Sequence, residues 1–441
     1  MSIKISVIVP YLMVALFVVS PAFVAAETAT PLPPAARVAF DKGMVAVEQK
    51  EWPTAIRYFL KAQEVEPYAP EVLFNLGLAE SKVPGRELRA IVWFRAYLAK
   101  TPNAPNAVAV RKEITGLEIR VEATIDRLIK QAKQLVAQES DHRNEDYGAL
   151  GVAIAKTGDI PGAKQTALKA AGGFFYANDA LSEIAAIQYH AGDAAGAEAT
   201  ILDIGSGERY GRNEIEYSAQ SRAYGYIAHL QAIKGDFSGA EATIGRAQLN
   251  RDKGFYYLNV AMEEALAGKR DQALSMVAKA MHACGLDAAC RESTSLWMIQ
   301  DRGWEIQSYL GDTEAAKKTF ALYKAKVKNP YARFDPAVDR KHIEDAATGK
   351  DLGLVGFRKE LDFIGDERLL VVAPREAAPS EKHVECVRLL KEKLGDELFT
   401  DQESAIRTIA NNTRPREIVS GMLKAIENIT NRLKEARALG T

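Results

Sequence analysis

One six-residue turn recurs along this chain and limits what it can fold into. Gly-Asp-x-x-Gly-Ala occupies residues 158–163, 192–197 and 235–240, while looser copies at 50–55, 85–90, 268–273 and 311–316 keep an alanine five residues after the first position. Glycine takes the left-handed conformation that ends a helix, and the aspartate that follows can accept from the free amides that open the next. The second glycine and the alanine are small, which lets two antiparallel helices approach closely. The seven turns follow one another at intervals of 35, 73, 34, 43, 33 and 43 residues, the 73 being about two repeat lengths. Isolated surface turns have no reason to keep such a period, so the spacing predicts a succession of helical hairpins.

The rest of the composition fits a large folded protein with no electrostatic bias. Across 441 residues the chain is 47% hydrophobic and 26% charged, enough for a core and for two or three domains. Lys plus Arg number 57 against 58 for Asp plus Glu, so nothing draws the chain as a whole to nucleic acid or to anionic lipid. Three cysteines without a C-x-x-C spacing exclude a disulfide-dense scaffold and a zinc ribbon.

The N-terminus reads as an address. Lys4 precedes an apolar run from Ile5 to Val19, then Pro21, the small residues Val24, Ala25 and Ala26, and the polar Glu27. That order predicts a secretory signal peptide over 1–26 with cleavage after Ala26, and so a periplasmic or secreted protein. The alternative, an uncleaved anchor helix, would be interrupted by Pro10 and Pro21. No later run approaches the roughly 20 apolar residues of a membrane span, so no stable insertion is expected once the signal is removed. Residues 27–35 read as a Pro-rich tether.

Around the first two turns the pattern becomes specific. Gly43, Ala55, Phe59, Ala62 and Pro67, then Leu76, Gly77, Ala90, Phe94 and Pro102, fall on the small and large positions of one known motif, with one inserted residue in the second copy's turn. The chain resembles a tetratricopeptide-repeat protein of the exported bacterial type. The match is good over 36–103 and weaker over 144–330, where Gly151, Ala167, Ala170, Ala261 and Ala280 keep some positions and the terminal proline is lost. The fold that the resemblance implies is all-α, a right-handed superhelical solenoid of helical hairpins. The expected plan is two repeats over 36–106, a capping spacer over 107–141 and a degenerate solenoid over 142–330. An irregular region with a linker over 331–379 and a helical tail over 380–441 complete it. The tail's last helix carries Val419, Met422, Ile426, Ile429 and Leu433 on one side, a stripe that must be buried somewhere and leaves self-association open.

In tetratricopeptide arrays the first helix of each pair lines the concave face. The resemblance therefore assigns Phe40, Met44, Phe74 and Leu78 to that face in the first array, and Asp179, Tyr189, Arg222, His229, Phe255 and Met262 in the second. For Leu78 and Met262, packing against neighbouring helices is the better reading. A protein or peptide partner is implied. The clamp by which some family members grip a C-terminal carboxylate is not supported, because only Asn75 matches it while Phe40 and Met44 occupy the other positions. The two 43-residue intervals hold longer loops, at 205–213 and 284–290, both expected on one edge of the array, with Arg209, Tyr210 and Arg212 as edge contacts. Cys284 and Cys290 would form a local disulfide in an oxidising compartment, two reduced buried thiols being the alternative, and Cys386 is left as a buried thiol.

Local signatures of catalysis are missing. The six histidines are scattered with no H-E-x-x-H, and neither G-x-S-x-G nor a phosphate-cradling G-x-x-x-x-G-K-[ST] occurs. Asp159, Asp193, Asp236 and Asp312 stand at equivalent turn positions, so capping explains them without chemistry. The expectation is a non-enzymatic adaptor with no catalytic residue, metal or cofactor, binding another envelope or secreted protein. The alternative is an enzyme or enzyme subunit acting on a cell-envelope polymer, with chemistry in 331–441 and with His342, Glu344, Asp345 and His383 as first suspects.

Overall fold

The computed structural model describes residues 31–138, 143–170, 174–205, 214–286, 294–326, 334–347, 361–364, 381–392 and 415–440. Every regular element among them is helical: eighteen α-helices and one 3-10 turn, with no strand. The helices pack in adjacent pairs. α1 (Pro34–Glu48) lies on α2 (Trp52–Val65), and α3 (Pro70–Glu80) on α4 (Glu87–Lys100). The long α5 (Ala107–Gln138) follows. Then come α6 (Arg143–Thr157) with α7 (Ile160–Ala167), α8 (Phe174–His190) with α9 (Ala194–Asp203), and α10 (Glu214–Ile233) with α11 (Phe237–Gly245). α12 (Asn250–Leu266) pairs with α13 (Arg270–Leu286), and α14 (Thr294–Tyr309) with α15 (Thr313–Lys326), before α16 (Pro336–Ala347). No helix among the described residues is long and apolar enough to cross a membrane.

The recurring turn works through one residue that serves two helices. All seven first positions take a positive φ: Lys50 60°, Gly85 82°, Gly158 99°, Gly192 94°, Gly235 82°, Gly268 74° and Gly311 80°. At Asp193 the backbone N–H donates to Gln188 O at 2.9 Å and closes α8, while the carboxylate accepts from Gly196 N–H at 2.8 Å and opens α9. Asp236 does the same between Gln231 O and Gly239 N–H, both at 2.9 Å. Asp159 caps Gly162 N–H at 2.9 Å, and Asp312 caps Ala315 N–H at 3.1 Å.

The second glycine has a reason the sequence did not suggest. A Cβ on Gly162, Gly196 or Gly239 would stand 2.0, 1.9 or 2.1 Å from Oδ2 of its own capping aspartate. The residue is small chiefly to admit the carboxylate, and at Gly196 also to admit the Gln188 side chain of the partner helix, whose Nε2 would stand 2.5 Å from the Cβ. Where alanine replaces it, at Ala315, the capping bond is the longer one. Close approach is the work of the alanine that follows: Ala163, Ala240, Ala273 and Ala316 are wholly buried. In the first two pairs the glycine-under-aromatic contact of the motif is present, since a Cβ on Gly43 would lie 2.4 Å from the Phe59 ring and one on Gly77 would lie 2.6 Å from Phe94.

A polar link inside the pairs repeats as well. Thr200 Oγ1 donates to Gln188 Oε1 at 2.6 Å, joining α9 to α8, and Thr319 Oγ1 donates to Gln307 Oε1 at 2.8 Å, joining α15 to α14. Gln231 and Thr243 hold the same positions in α10–α11, but Gln231 Oε1 is left without a partner. In α12–α13 the positions carry Glu264 and Met276, and Glu264 Oε2 is buried with no hydrogen bond. Burial first, and Glu241 next, push the Glu264 carboxyl up to about 7 against the opposing pull of Lys279 and Lys269.

From α6 onward, first helices stack on first helices: α6 on α8, α8 on α10, α10 on α12, α12 on α14, and α14 on α16. The C-terminal region then turns back along the chain. The 3-10 turn Asp362–Ile364 packs on α8, α17 (Lys382–Glu392) on α4, and α18 (Pro415–Ala438) on α4, α5 and α6. The stripe expected to need a partner finds it within the chain, because Val419, Met422, Ile426, Ile429 and Leu433 are all buried, 0–5% exposed. They face a 32-residue α5 whose Val110, Ile114, Leu117, Val121, Ile125 and Leu128 are buried at helical spacing. The stripe is therefore not available for self-association in this conformation.

The turn geometry sets a direct test. Asp236→Ala should cost about 1 kcal/mol by losing the cap, and Gly235→Val more than about 1 kcal/mol, because a β-branched residue is strained at positive φ. Chemical denaturation of both variants measures this, and unchanged midpoints would mean that the turn does not govern the pairing.

Candidate functional site

The expected ligand face of the first array is largely occupied by its own packing. The Phe40 ring sits 5.4 Å from Phe59, and Phe74 lies 5.9 Å from Phe94 and 5.3 Å from Tyr97. Met44 is half-buried against the same core. Asn75 Nδ2 donates to Glu71 O at 2.7 Å, so its amide is spent within its own helix. Phe40 and Phe74 thus each bind to the second helix of their own pair.

The second array is different. Repeat-equivalent residues on stacked first helices must be neighbours, and the structure brings them into a ladder. Asp179 and Arg222 hold one position on α8 and α10, and Arg222 Nη1 donates to Asp179 Oδ1 at 2.5 Å across 43 residues of sequence. Phe255 holds that position on α12. One turn further along the helices come Glu183, Tyr226, Asn259 and Arg302, and Arg302 Nη1 donates to Asn259 Oδ1 at 3.1 Å, again 43 residues apart. Arg302 also lies over the Phe255 ring, 4.7 Å from its centroid. His229 Nε2 stands 3.2 Å from Glu263 Oε1, both nearly inaccessible. Tyr189, at the end of α8, lies under the Lys234 ammonium at 5.8 Å.

Three of the expected residues, Asp179, Arg222 and Phe255, therefore hold one position on stacked first helices, whereas His229, expected on the ligand face, is buried against Glu263. Glu183, Tyr226, Asn259 and Arg302 were missed, although each lies four residues after a repeat position: Glu183 after Asp179, Tyr226 after Arg222, and Asn259 after Phe255. Arg209, Tyr210, Arg212 and Cys290 lie outside the described residues, as do residues 1–26. Cys284 is disulfide-bonded, whereas Cys386 is free and buried, its thiol pushed up to about 12 mainly by burial. His383 stacks edge-on to Tyr68 at 4.8 Å, and burial lowers its pKa. The side chains of His342, Glu344 and Asp345 are not among those described.

Electrostatically the ladder centres on Glu183. Burial, and then the neighbouring Asp179 carboxylate, raise it from 4.5 to about 7, while Lys156 and Arg222 oppose the shift. Burial likewise raises Asp179, with Arg222 pulling the other way. Lys156, itself buried, is committed elsewhere: its Nζ donates to Glu427 Oε1 of α18 at 2.6 Å. Beside this cluster the chain's own 3-10 turn is seated, with Phe363 4.9 Å from Tyr226. A separate cleft of about 510 Å³, lined by Asp126, Ile129, Lys130, Lys133, Thr157 and Asp159, lies between α5 and the α6–α7 turn and contains none of the expected ligand residues. No protein-family model matches the chain, and no curated protein matches it.

Two raised carboxyls give a pH dependence with a definite sign. Glu183 and Glu264 both bind protons more tightly when folded than their unfolded value of 4.5. Their contribution is therefore full below about 4.5 and is lost as pH rises through about 7. Denaturation between pH 4.5 and 8 should show this decline, and the Glu183→Gln/Glu264→Gln variant should flatten it; an equal slope in both proteins would refute the assignment.

Proposed function

We propose that this chain is an exported tetratricopeptide-type repeat protein that binds another envelope or secreted protein non-covalently. Its helical solenoid would act as a scaffold or adaptor once cleavage after Ala26 releases it. The family assignment draws support from Gly43 beneath Phe59 and Gly77 beneath Phe94. Seven turns that alternate first and second helices support it further. The observation that carries the reading is the face built by successive first helices. Stacking places unlike groups side by side at matched positions: acid, base and aromatic at Asp179, Arg222 and Phe255, then acid, phenol, amide and base at Glu183, Tyr226, Asn259 and Arg302. A surface of mixed charge and aromatic character along a rigid array suits recognition of an extended segment. Asp179 and Arg222, and His229 and Glu263, are spent on one another, which favours recognition over chemistry at those four residues.

The test uses the mature chain as bait in an envelope extract, beside a charge-swapped variant, Asp179→Arg/Arg222→Asp, that keeps the pair but reverses it on the surface. A protein captured by the first should be captured at least about tenfold less by the second, a difference of about 1.4 kcal/mol. Equal capture would remove this face as the site. Turnover of an envelope polymer with no captured protein would favour the enzymatic alternative. Mass spectrometry of the recovered protein should find Glu27 at its start, and a chain still beginning at Met1 would refute the export assignment.

A further inference from the structure

The α12–α13 pair departs from its neighbours in three side chains. Lys269 stands where Asp193, Asp236 and Asp312 cap, and a lysine has no acceptor to offer a free amide. Met276 stands where Thr200 and Thr319 donate to a glutamine. The glutamine itself is replaced by Glu264, which is 2% exposed and whose Oε2 has no hydrogen-bond partner. Four helices pack on α12: α10, α11, α13 and α14. Glu241 faces the Glu264 carboxyl from α11, Lys279 from α13 and Lys269 from the turn. Both lysines are engaged, Lys279 with Glu241 and Lys269 over the Phe237 ring at 5.7 Å. From α10 His229 is held by Glu263, and from α14 Arg302 is held by Asn259. On α12 itself Tyr257 shares the influence of Glu241 and Lys279. A buried carboxyl without its hydrogen bond thus sits at the one turn of the second array that lacks both the cap and the threonine.

The pair also stands apart from the main core. Its apolar side chains belong to a cluster running from Ala228 to Ile343, distinct from the cluster that α5 and α18 close. Separation of α12 from α13 therefore leaves that main cluster packed. We propose that the α12–α13 pair is a proton-operated joint in the array, closed while Glu264 is neutral and opened when Glu264 ionises. A neutral carboxyl tolerates a buried site far better than a carboxylate does. Once ionised, Glu264 and Glu241 would also compete for Lys279, the residue that ties α13 to α11. Burial and the Glu241 charge bring the folded carboxyl from 4.5 to about 7, so the closed pair holds this proton more tightly than the open one. Closure is favoured most below about 4.5, and the advantage is lost as pH rises through about 7. Phe255 and Asn259 of the ladder lie on α12, so opening would interrupt that face. This last consequence rests on the protein-binding reading above, whereas the opening itself does not.

The test is hydrogen–deuterium exchange of the full mature protein, read by mass spectrometry at pH 5 and pH 7 and corrected for intrinsic amide rates. Opening of amides in 250–286 should rise at least about tenfold between the two conditions, within what one proton shifted from 4.5 to about 7 allows. Amides of α3 and α4 should change less than about twofold. Glu264→Gln should remove the rise in 250–286 and retain the protection seen at pH 5, because glutamine fills the equivalent place at 188, 231 and 307. An unchanged rise in that variant, protection of 250–286 that ignores pH, or an equal rise in every pair would overturn the inference. So would loss of fold in Glu264→Gln, monitored by circular dichroism, since that side chain is the one the other pairs use. No partner enters the measurement, so its result is read separately from capture of a protein in the extract.

Discussion

The array depends on a left-handed residue that ends one helix and, in four of its seven turns, on an aspartate after it whose carboxylate opens the next; at three of these the aspartate's amide also closes the first. Both bonds at Asp193, Asp236 and Asp312 are made within two residues of a left-handed position. The direction of the second helix is thus set before any tertiary contact forms. The alanine after the turn then fixes how near the helices lie, and the glutamine–threonine link fixes their axial register where both partners are present. With each pair determined locally, stacking needs only that first helices meet first helices. Equivalent side chains then align without further instruction, so Asp179 meets Arg222 and Asn259 meets Arg302 at a separation equal to one repeat interval.

The C-terminal return adds a constraint of another kind. Glu118 on α5 binds Arg95 of α4 at 2.8 Å and Arg437 of α18 at 3.5 Å, so one carboxylate joins the second pair, the spacer helix and the last helix. The apolar cluster that begins at Leu32 continues through α5, α8 and α10 and takes in residues from Leu361 to Ala436. A separate cluster extends from Ala228 to Ile343. The array is therefore reinforced along its first two-thirds by the chain's own end. Pairs α12–α13 and α14–α15 lie beyond the described C-terminal contacts.

How much of this was legible in the sequence follows from the range of the interactions. The turns were readable because every cause lies within six residues, and Lys50 could be placed with the glycines although it lacks their freedom. The alignment of Asp179, Arg222 and Phe255 was readable because periodicity transmits a local register over a long distance. The purpose of the second glycine was read only in part, since only the rotamer of the capping aspartate shows that its Oδ2 takes most of the space, alongside the partner helix's Gln188 at Gly196. The glutamine–threonine link was present in the sequence as a twelve-residue spacing at 188, 231 and 307, but it carries no apolar periodicity by which to notice it. The return of the tail was not legible, because Lys156–Glu427 spans 271 residues and nothing local to either residue names the other. An amphipathic stripe shows that a face will be buried and leaves its partner unspecified.

The fourth pair of the second array shows the same rules operating through an exception. In three turns a glutamine four residues before the glycine is accompanied by an aspartate just after it: Gln188 with Asp193, Gln231 with Asp236, and Gln307 with Asp312. In the first of these the amide donates to the carboxylate, Gln188 Nε2 to Asp193 Oδ2 at 3.0 Å. Glutamate in that place could not donate and would set two carboxylates together. At the α12–α13 turn both residues change, to Glu264 and Lys269, so the pair becomes one of opposite charges. Lys269 does act on Glu264 in the stabilising sense, and its N–H still closes α12 on Glu264 O at 2.8 Å. What the exchange does not restore is the threonine, for Met276 offers the carboxylate no hydrogen. The backbone half of the turn therefore survives intact while the side-chain half leaves a carboxylate whose charge is poorly solvated. The turn geometry does not require the capping aspartate, since the glycine and the backbone bonds of the preceding helix suffice to reverse the chain.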